Sequence, residues 1–296
     1  MNQNYVISCC STADLSKEHF EKRDIHYICF HYHLDGVDYP DDLGQTIPFD
    51  EFYTRLQNGS DSTTSQVNID EYLAFFETFL KKGLDILHVT LSSGISGTFN
   101  SCMSAKLIAE ERYPERRIIV IDSLCASSGY GLLMDQMADL RDSGMGLQEL
   151  AEWTEKNKLR VNHLFFTTDL TFFVKGGRIS KAAGFFGGVL GICPLLDVNR
   201  EGKLIPREKL HGKKLVIRRM VKRMEELADN GRAYSGKCYL SQSACLEDAE
   251  AVVELIKATF PNIQEPEINH IGTTIGSHTG PGTVALFFTG EERGEK

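Results

Sequence analysis

Hydroxyl and glycine residues are concentrated in residues 91–98, which read Leu-Ser-Ser-Gly-Ile-Ser-Gly-Thr. This Ser-Gly loop stands between a strand-like run, Asp85–Thr90, and a helix-like run over residues 100–111. Backbone N–H groups, hydroxyls and the dipole of a following helix together attract an anion. The sequence therefore predicts an anion-binding loop at the end of a strand.

Three other polar clusters could contribute to the same site. They are residues 63–66 (Thr-Thr-Ser-Gln), residues 176–180 (Gly-Gly-Arg-Ile-Ser) and His278 within the glycine-rich residues 276–282. Each cluster alone is typical of ordinary turns and helix ends. Together they pair hydrogen-bond donors with residues that let the backbone approach a ligand, which strengthens the prediction of an anion site.

The spacing in the Ser-Gly loop argues against two common kinds of site. Gly94 and Gly97 have no glycine two residues before them, so Gly-x-Gly-x-x-Gly is absent, as is the Gly-Lys-Ser/Thr ending of a P-loop. Residues 94–97 also do not match Gly-x-Ser-x-Gly. A hydrolase with Ser93 or Ser96 as nucleophile and His278 as base stays open as a minority alternative.

Composition narrows the class of protein. The 296 residues carry a net charge of -9, which leaves no broad basic surface for nucleic acid or an anionic membrane. Residues 1–8 lack the basic flank and apolar core of a signal peptide, and no apolar run is long enough to span a membrane. We therefore expect a cytoplasmic protein with a small ligand and no integral membrane segment.

The eight cysteines are scattered without a Cys-x-x-Cys pair. This pattern suits reduced thiols in a reducing compartment, and it suggests no metal site. The adjacent pair Cys9-Cys10 is interpreted as two small buried residues rather than a redox centre.

Strand-like and helix-like runs alternate along the first half of the chain. The strand-like runs are residues 5–8, 25–33, 85–90 and 118–121, and the helix-like runs include residues 15–22, 49–56, 69–82 and 127–142. This alternation predicts a parallel sheet covered by helices, with ligands at the carboxyl ends of its strands. A polar break at residues 141–146 and a new strand at residues 163–168 predict a domain boundary near residue 160.

A series of motifs resembles that of the DegV family, in the same order and over nearly the whole chain. The motifs are Ser11-Thr12-Ala13-Asp14-Leu15, Thr64-Ser65-Gln66, residues 91–98, Asp122-Ser123, residues 175–181 and residues 278–282. The resemblance implies two α/β domains with a long-chain fatty acid between them. Residues 1–160 would hold a mainly parallel sheet, and residues 161–290 a mixed or antiparallel sheet.

The resemblance also implies a function without catalysis. In several bacteria such proteins are the lipid-binding subunit of fatty acid kinase. This chain would then bind a palmitate- to oleate-like fatty acid, need no cofactor, and present the acid to a separate kinase subunit that forms acyl phosphate. A lipid-sensing regulator without a kinase partner would share the same site and stays open.

The same resemblance supplies candidate residues. The fatty acid carboxylate would be held by Thr64, Ser92, Ser93 and His278, with Arg178 in the same polar network. Hydroxyl, N–H and cationic donors suit a carboxylate, whose oxygens accept several hydrogen bonds. The candidates for the wall of the acyl tunnel are Phe185, Phe186, Val189, Leu190 and Ile192, although a glycine-rich helix packed on a sheet is an equal interpretation of that run.

Three positions depart from the family pattern. Cys10 stands where an aspartate is usual, Cys193 where a lysine often precedes the proline, and His211 where many relatives have arginine. The last two changes remove cations that could dock an anionic partner site, so they weaken the expectation of a kinase partner more than that of lipid binding.

Overall fold

The computed structural model describes residues 4–180 and 191–294. Its strands are β1 (Tyr5–Cys10), β2 (Ile25–Ile28), β3 (His31–Leu34), β4 (Val37–Pro40), β5 (Ser62–Ser65), β6 (Asp85–Thr90), β7 (Ile118–Asp122), β8 (Val161–Thr167), β9 (Ile192–Val198), β10 (Leu204–His211), β11 (Cys238–Gln242), β12 (Glu267–His270) and β13 (Thr283–Thr289). Its α-helices are α1 (Lys17–Lys22), α2 (Phe49–Gln57), α3 (Ile69–Leu80), α4 (Thr98–Arg112), α5 (Ser127–Asp142), α6 (Leu147–Asn157), α7 (Thr171–Lys175), α8 (Lys213–Leu227), α9 (Leu246–Thr259) and α10 (Thr273–Thr279).

The first half of the chain contains the predicted parallel sheet, in the order β2-β1-β6-β7. Its strands are short apolar runs buried against helices, as the alternation predicts. A capping box starts α3, because Asn68 accepts from the Glu71 N–H and the Glu71 carboxylate accepts from the Asn68 N–H. The sheet leaves the loops after β6 and β7 at one edge, where a ligand can reach them.

The second half contains a mixed sheet in the order β10-β9-β8-β13-β11-β12, in which only β11 and β12 are parallel. Alternate residues of its central strands face opposite sides. Leu164, Phe166 and Leu286 pack with α8 and α9, whereas Phe165 and Phe287 face the first half of the chain. The predicted fold class, two α/β domains with a parallel and a mixed sheet, is confirmed. The ranges 1–160 and 161–290 stay a prediction.

A small antiparallel sheet, β4-β3-β5, was not predicted. The prediction of a single strand over residues 25–33 was wrong. The strand β2 ends at Ile28, and the chain then enters the small sheet as β3. The turn is held by two hydrogen bonds: Phe30 N–H donates to Ser11 Oγ, and Asp41 N–H donates to the Phe30 carbonyl. The small sheet carries Thr64 on β5 and packs against α10.

No disulfide links the eight cysteines, all of which lie in the described residues. Over residues 4–180 and 191–294, every helix is too short or too polar to cross a membrane.

A cluster of charges joins α1 and α5 to the β11–β12 edge of the mixed sheet. Asp135, with a side chain only 4% exposed, accepts from His19 at 3.1 Å and from the Tyr239 hydroxyl at 2.9 Å. Lys237 and Arg23 pair with the same carboxylate. Burial opposes the charge, but the hydrogen bonds from His19 and Lys237 hold the pKa of Asp135 well below its ordinary value.

This cluster makes stability depend on pH. Burial alone would lower the pKa of His19, yet the Asp135 and Glu267 carboxylates raise it from 6.5 to about 9. A folded-state pKa above the unfolded one gives stability that is complete below pH 6.5 and is lost as the pH rises through about 9. Allowing for solvent screening, we expect the free energy of unfolding of wild type to fall by about 1 to 2 kcal/mol more than that of His19→Gln between about pH 7 and about pH 10. Urea unfolding of both proteins at both pH values measures this, and parallel losses would contradict it.

Candidate functional site

A cavity of about 380 Å³ lies between the two halves of the chain, a size ordinary for a small-molecule site. Its lining is mostly apolar and comes from loops of the first half, from the mixed sheet and from α10. The apolar lining residues are Phe30, Leu91, Ile95, Ala126, Phe165, Phe173, Val198, Leu204, Ile271, Ile275, Ala285 and Phe287. Such a lining suits a ligand that is largely hydrocarbon.

Thr64, Arg178 and His278 meet in the lining of this cavity although they are far apart in sequence. The Thr64 Oγ1 and His278 Nε2 atoms are 2.7 Å apart, and Arg178 Nη1 lies 3.4 Å from His278 Nδ1. Because a guanidinium group can only donate, Nδ1 is assigned as the acceptor and Nε2–H as the donor to Thr64. The Thr64 hydroxyl hydrogen is then free to point at a ligand.

Arg178 provides the only lasting positive charge in the lining that the structure describes. Burial, and then the neighbouring Arg178 charge, lower the pKa of His278 to about 4, so its imidazole is neutral at pH 7. His163 also lines the cavity, and burial lowers its pKa well below the ordinary value. Burial lowers the pKa of Arg178 from 12.5, a starting value high enough that the guanidinium stays charged. An anion is therefore the matching ligand group.

Gly176 of the Gly-Gly-Arg motif permits this arrangement. A Cβ atom at Gly176 would lie 2.2 Å from His278 Nδ1, so any other residue would displace the ring. The carbonyl of Gly176 also accepts from Arg178 Nη1, and the Ile95 carbonyl accepts from Arg178 Nε at 3.2 Å. The motif thus orients the guanidinium and makes room for the imidazole.

The Ser-Gly loop brings Ser96, but neither Ser92 nor Ser93, into the cavity lining. Ser92 is fully buried, where its Oγ donates to the Gly202 carbonyl at 2.9 Å and accepts from the Gly94 N–H. Ser93 is exposed, and its N–H donates to Asp122. Ser96 Oγ accepts from the Thr98 N–H at 3.2 Å, which leaves its hydroxyl hydrogen available.

Ser92 therefore docks the β9–β10 turn onto the loop. A Cβ atom at Gly94 would lie 2.5 Å from the Glu201 carbonyl oxygen, so a glycine is needed for this contact. The family resemblance assigns Ser92 and Ser93 to the carboxylate, and that assignment stays a prediction; the contact that covers Ser92 comes from a turn distant in sequence.

Four of the five residues of the predicted tunnel wall belong to a segment that the structure does not describe. Phe185, Phe186, Val189 and Leu190 lie outside the described residues. Ile192 begins β9 opposite His211 and does not line the cavity. Part of the described wall comes from alternate residues of β8 and β13, whose apolar runs at residues 164–166 and 284–288 were a signal that both faces of these strands are buried.

The three departures from the family pattern have different surroundings. Cys193 is buried, whereas His211, near it on the paired strand, is exposed. Cys10 is fully buried, and burial raises the pKa of its thiol to about 11. Its Sγ lies 3.3 Å from the Tyr72 hydroxyl, which in turn lies 2.7 Å from Thr98 Oγ1 at the start of α4. Cys10 thus still supports the Ser-Gly loop by hydrogen bonding.

Comparison with known proteins identifies the family of the chain. The model of the DegV family, a family of uncharacterised proteins, matches residues 7–291. This chain belongs to the DegV family. A DegV domain-containing protein of Clostridium perfringens is 34% identical over 291 residues, which cover 98% of this chain and 99% of that protein.

Solved DegV structures share the fold. A stearic acid-binding protein from Eubacterium ventriosum superimposes with a TM-score of 0.85 at 26% identity, covering 96% of this chain and 97% of that one. The Fatty Acid Kinase B3 protein of Streptococcus pneumoniae, loaded with linoleic acid, gives a TM-score of 0.83 at 22% identity, covering 98% and 100%. At 22% identity, the comparison with the Streptococcus pneumoniae protein shows only that the two chains share a fold.

Proposed function

We propose that this DegV chain binds a long-chain fatty acid, with the acyl chain in the 380 Å³ cavity and the carboxylate at Thr64, Ser96, Arg178 and His278. One observation carries the proposal: an apolar cavity whose only charged lining group, among the described residues, is the Arg178 guanidinium. The stearic acid-binding relative supports the same ligand class. A carboxylate would neutralise the half-buried Arg178 charge and accept hydrogen bonds from the neighbouring hydroxyls.

The energetics favour a ligand that stays bound during purification. Burying a palmitate-sized chain gives on the order of 10 kcal/mol gross at ~0.8 kcal/mol per methylene. Association and ordering remove much of this gain. The polar end fixes the direction of binding, because a fatty acid can place its charged head group beside Arg178 while its tail lies on the apolar wall.

The arrangement of His278 disfavours an ester hydrolase. A general base must accept a proton from the nucleophile, yet Nδ1 faces the Arg178 cation and Nε2 is engaged with Thr64. No hydrogen bond joins Ser96 to His278 within the described chain. We infer that these residues bind rather than react, and that formation of acyl phosphate would belong to a separate kinase subunit, as the motif resemblance to the DegV family implies.

The test is native mass spectrometry of freshly purified protein with two matched serine variants. We expect wild type and Ser93→Ala to carry a fatty acid adduct, because the Ser93 side chain is exposed outside the cavity. Ser96→Ala, which removes one hydrogen bond to a charged group, should weaken oleate binding by about tenfold.

Two outcomes of this test contradict the proposal. A wild-type protein with no adduct and no uptake of added oleate would rule out fatty acid binding. Equal oleate affinity in wild type and Ser96→Ala, with a loss in Ser93→Ala, would move the carboxylate to Ser93. Adding purified kinase and ATP to the loaded protein then distinguishes a carrier from a regulator, since only a carrier supports formation of acyl phosphate.

A further inference from the structure

A closed ring of hydrogen bonds lies beside the cavity, where the two halves of the chain meet. The Asp14 carboxyl Oδ2 contacts Ser127 Oγ, which lies 3.1 Å from Ser241 Oγ. Ser241 Oγ lies 2.7 Å from Ser128 Oγ, which lies 3.0 Å from the Asp14 carbonyl oxygen. Asp14 follows the turn Ser11–Ala13, the two serines begin α5, and Ser241 belongs to β11. The ring therefore links three separate elements.

Counting hydrogens favours a protonated carboxyl group in this ring. Its four contacts join Asp14, Ser127, Ser241 and Ser128, but three hydroxyls supply only three hydrogens, and the Asp14 carbonyl can only accept. Whichever way the hydroxyls turn, a carboxylate at Asp14 leaves one oxygen–oxygen contact without a hydrogen. A proton on Asp14 Oδ2 supplies the fourth hydrogen, and each group then donates to the next around the ring.

The surroundings of Asp14 also disfavour a carboxylate. The residue is 4% exposed, and the Gly272 backbone N–H, the nearest donor to the carboxyl apart from Ser127, lies outside good hydrogen-bonding geometry to Oδ1. A buried carboxylate with one unpaired oxygen is costly. The titratable groups that face it are Asp41, after β4, and Tyr53, from α2. Burial raises the pKa of Asp14 well above its ordinary value; the Ser127 and Gly272 hydrogen bonds oppose this, and the Asp41 charge adds to it.

Asp41 differs from Asp14 because its carboxylate accepts through both oxygens, from Ser11 Oγ at 3.1 Å and from Thr273 Oγ1 at 2.8 Å. Both aspartates approach the residue that precedes α10: a Cβ atom at Gly272 would lie 2.6 Å from Asp14 Oδ1 and 3.6 Å from Asp41 Oδ1. Burial raises the pKa of Asp41 as well, but hydrogen bonds from Thr274, Thr273 and Ser11 oppose that shift and favour its carboxylate. A neutral Asp14 beside Asp41 avoids two like charges in one buried site.

We propose that Asp14 is a carboxylic acid at neutral pH and a positioning residue whose proton closes the ring between the two halves beside the lipid cavity. Ser127, held by the ring in a left-handed conformation with φ of 52°, forms part of the cavity wall. The ring also abuts the start of α10, the helix that carries His278. Its effect on lipid retention rests on the proposed function, whereas the protonation does not.

Infrared spectroscopy tests the protonation directly. The wild-type minus Asp14→Asn difference spectrum at neutral pH, recorded on protein stripped of lipid, should contain the carbonyl band of a protonated carboxyl group. A difference spectrum with only carboxylate bands would overturn the proposal, whatever the protein binds.

Lipid retention tests the positioning role. Asparagine keeps an N–H donor toward Ser127, so Asp14→Asn should hold oleate within about threefold of wild type, whereas Asp14→Ala should release it about tenfold faster. A carboxyl group with a raised folded-state pKa loses its stabilising contribution as the pH rises, so wild type should be destabilised relative to Asp14→Asn at alkaline pH. Equal damage in both variants, or identical pH profiles of wild type and Asp14→Asn, would contradict the role of the proton.

Discussion

Replacing Arg178 by methionine is expected to weaken oleate binding on the order of 100-fold. Methionine keeps much of the side-chain volume but removes the only lining charge among the described residues, so the carboxylate of the proposed fatty acid ligand would be left without a cation. Truncating one partner of a buried, hydrogen-bonded charge pair costs about 2 to 5 kcal/mol. Displacement of a fluorescent fatty acid by oleate measures the change.

Two controls separate charge from packing at this position. Methyl oleate has the same acyl chain without the charge, so its affinity should change by less than about threefold in Arg178→Met. Arg178→Lys keeps a charge but cannot reach both the Ile95 and Gly176 carbonyls with one planar group, so it should bind oleate about tenfold more weakly than wild type. A parallel loss of the acid and the ester would mean that Arg178 only supports the cavity wall.

The polar residues of the site were partly predictable, because hydroxyl, imidazole and guanidinium side chains are typical ligands of an anion. Thr64 and His278 lie in different halves of the chain, yet they are 2.7 Å apart. The motif resemblance named both, together with Arg178. Neither local pattern nor spacing could bring them together, since the contact depends on α10 packing against the small sheet, which was itself not predicted.

Which serine of the Ser-Gly loop lines the cavity could not be predicted from the sequence, for a different reason. Ser92, Ser93 and Ser96 have the same chemistry, and their environments differ only through tertiary contacts. The Gly202 carbonyl that covers Ser92 comes from a turn 110 residues away. The strands of the parallel sheet were easier to predict, because their buried apolar runs are local features of the sequence.

The ligand cavity and the Asp135 charge cluster both lie between the two halves of the chain. Polar contacts as well as apolar packing hold these halves together. The Asp14 ring and the Asp135 cluster both connect α5 to β11. α5 is buried along most of its length and touches both the first half of the chain and the mixed sheet. Polar contacts along one buried helix are directional, so they fix the relative position of the halves more narrowly than apolar packing alone does.

Asp135→Ala is therefore expected to be the most destabilising single change in the cluster, at about 3 to 5 kcal/mol in urea unfolding near neutral pH. It removes the shared acceptor of His19, Lys237 and Tyr239 and leaves cations facing one another in a largely buried site. Asp139→Ala is the matched control, because Asp139 pairs with the same Lys237 but is 45% exposed, and exposed pairs contribute about 0 to 1 kcal/mol. Similar losses in the two variants would mean that the interface does not depend on the buried carboxylate. A much larger loss of unfolding free energy for Asp135→Ala than for Asp139→Ala would mean that the buried Asp135 carboxylate is the charge that holds α5 against the mixed sheet.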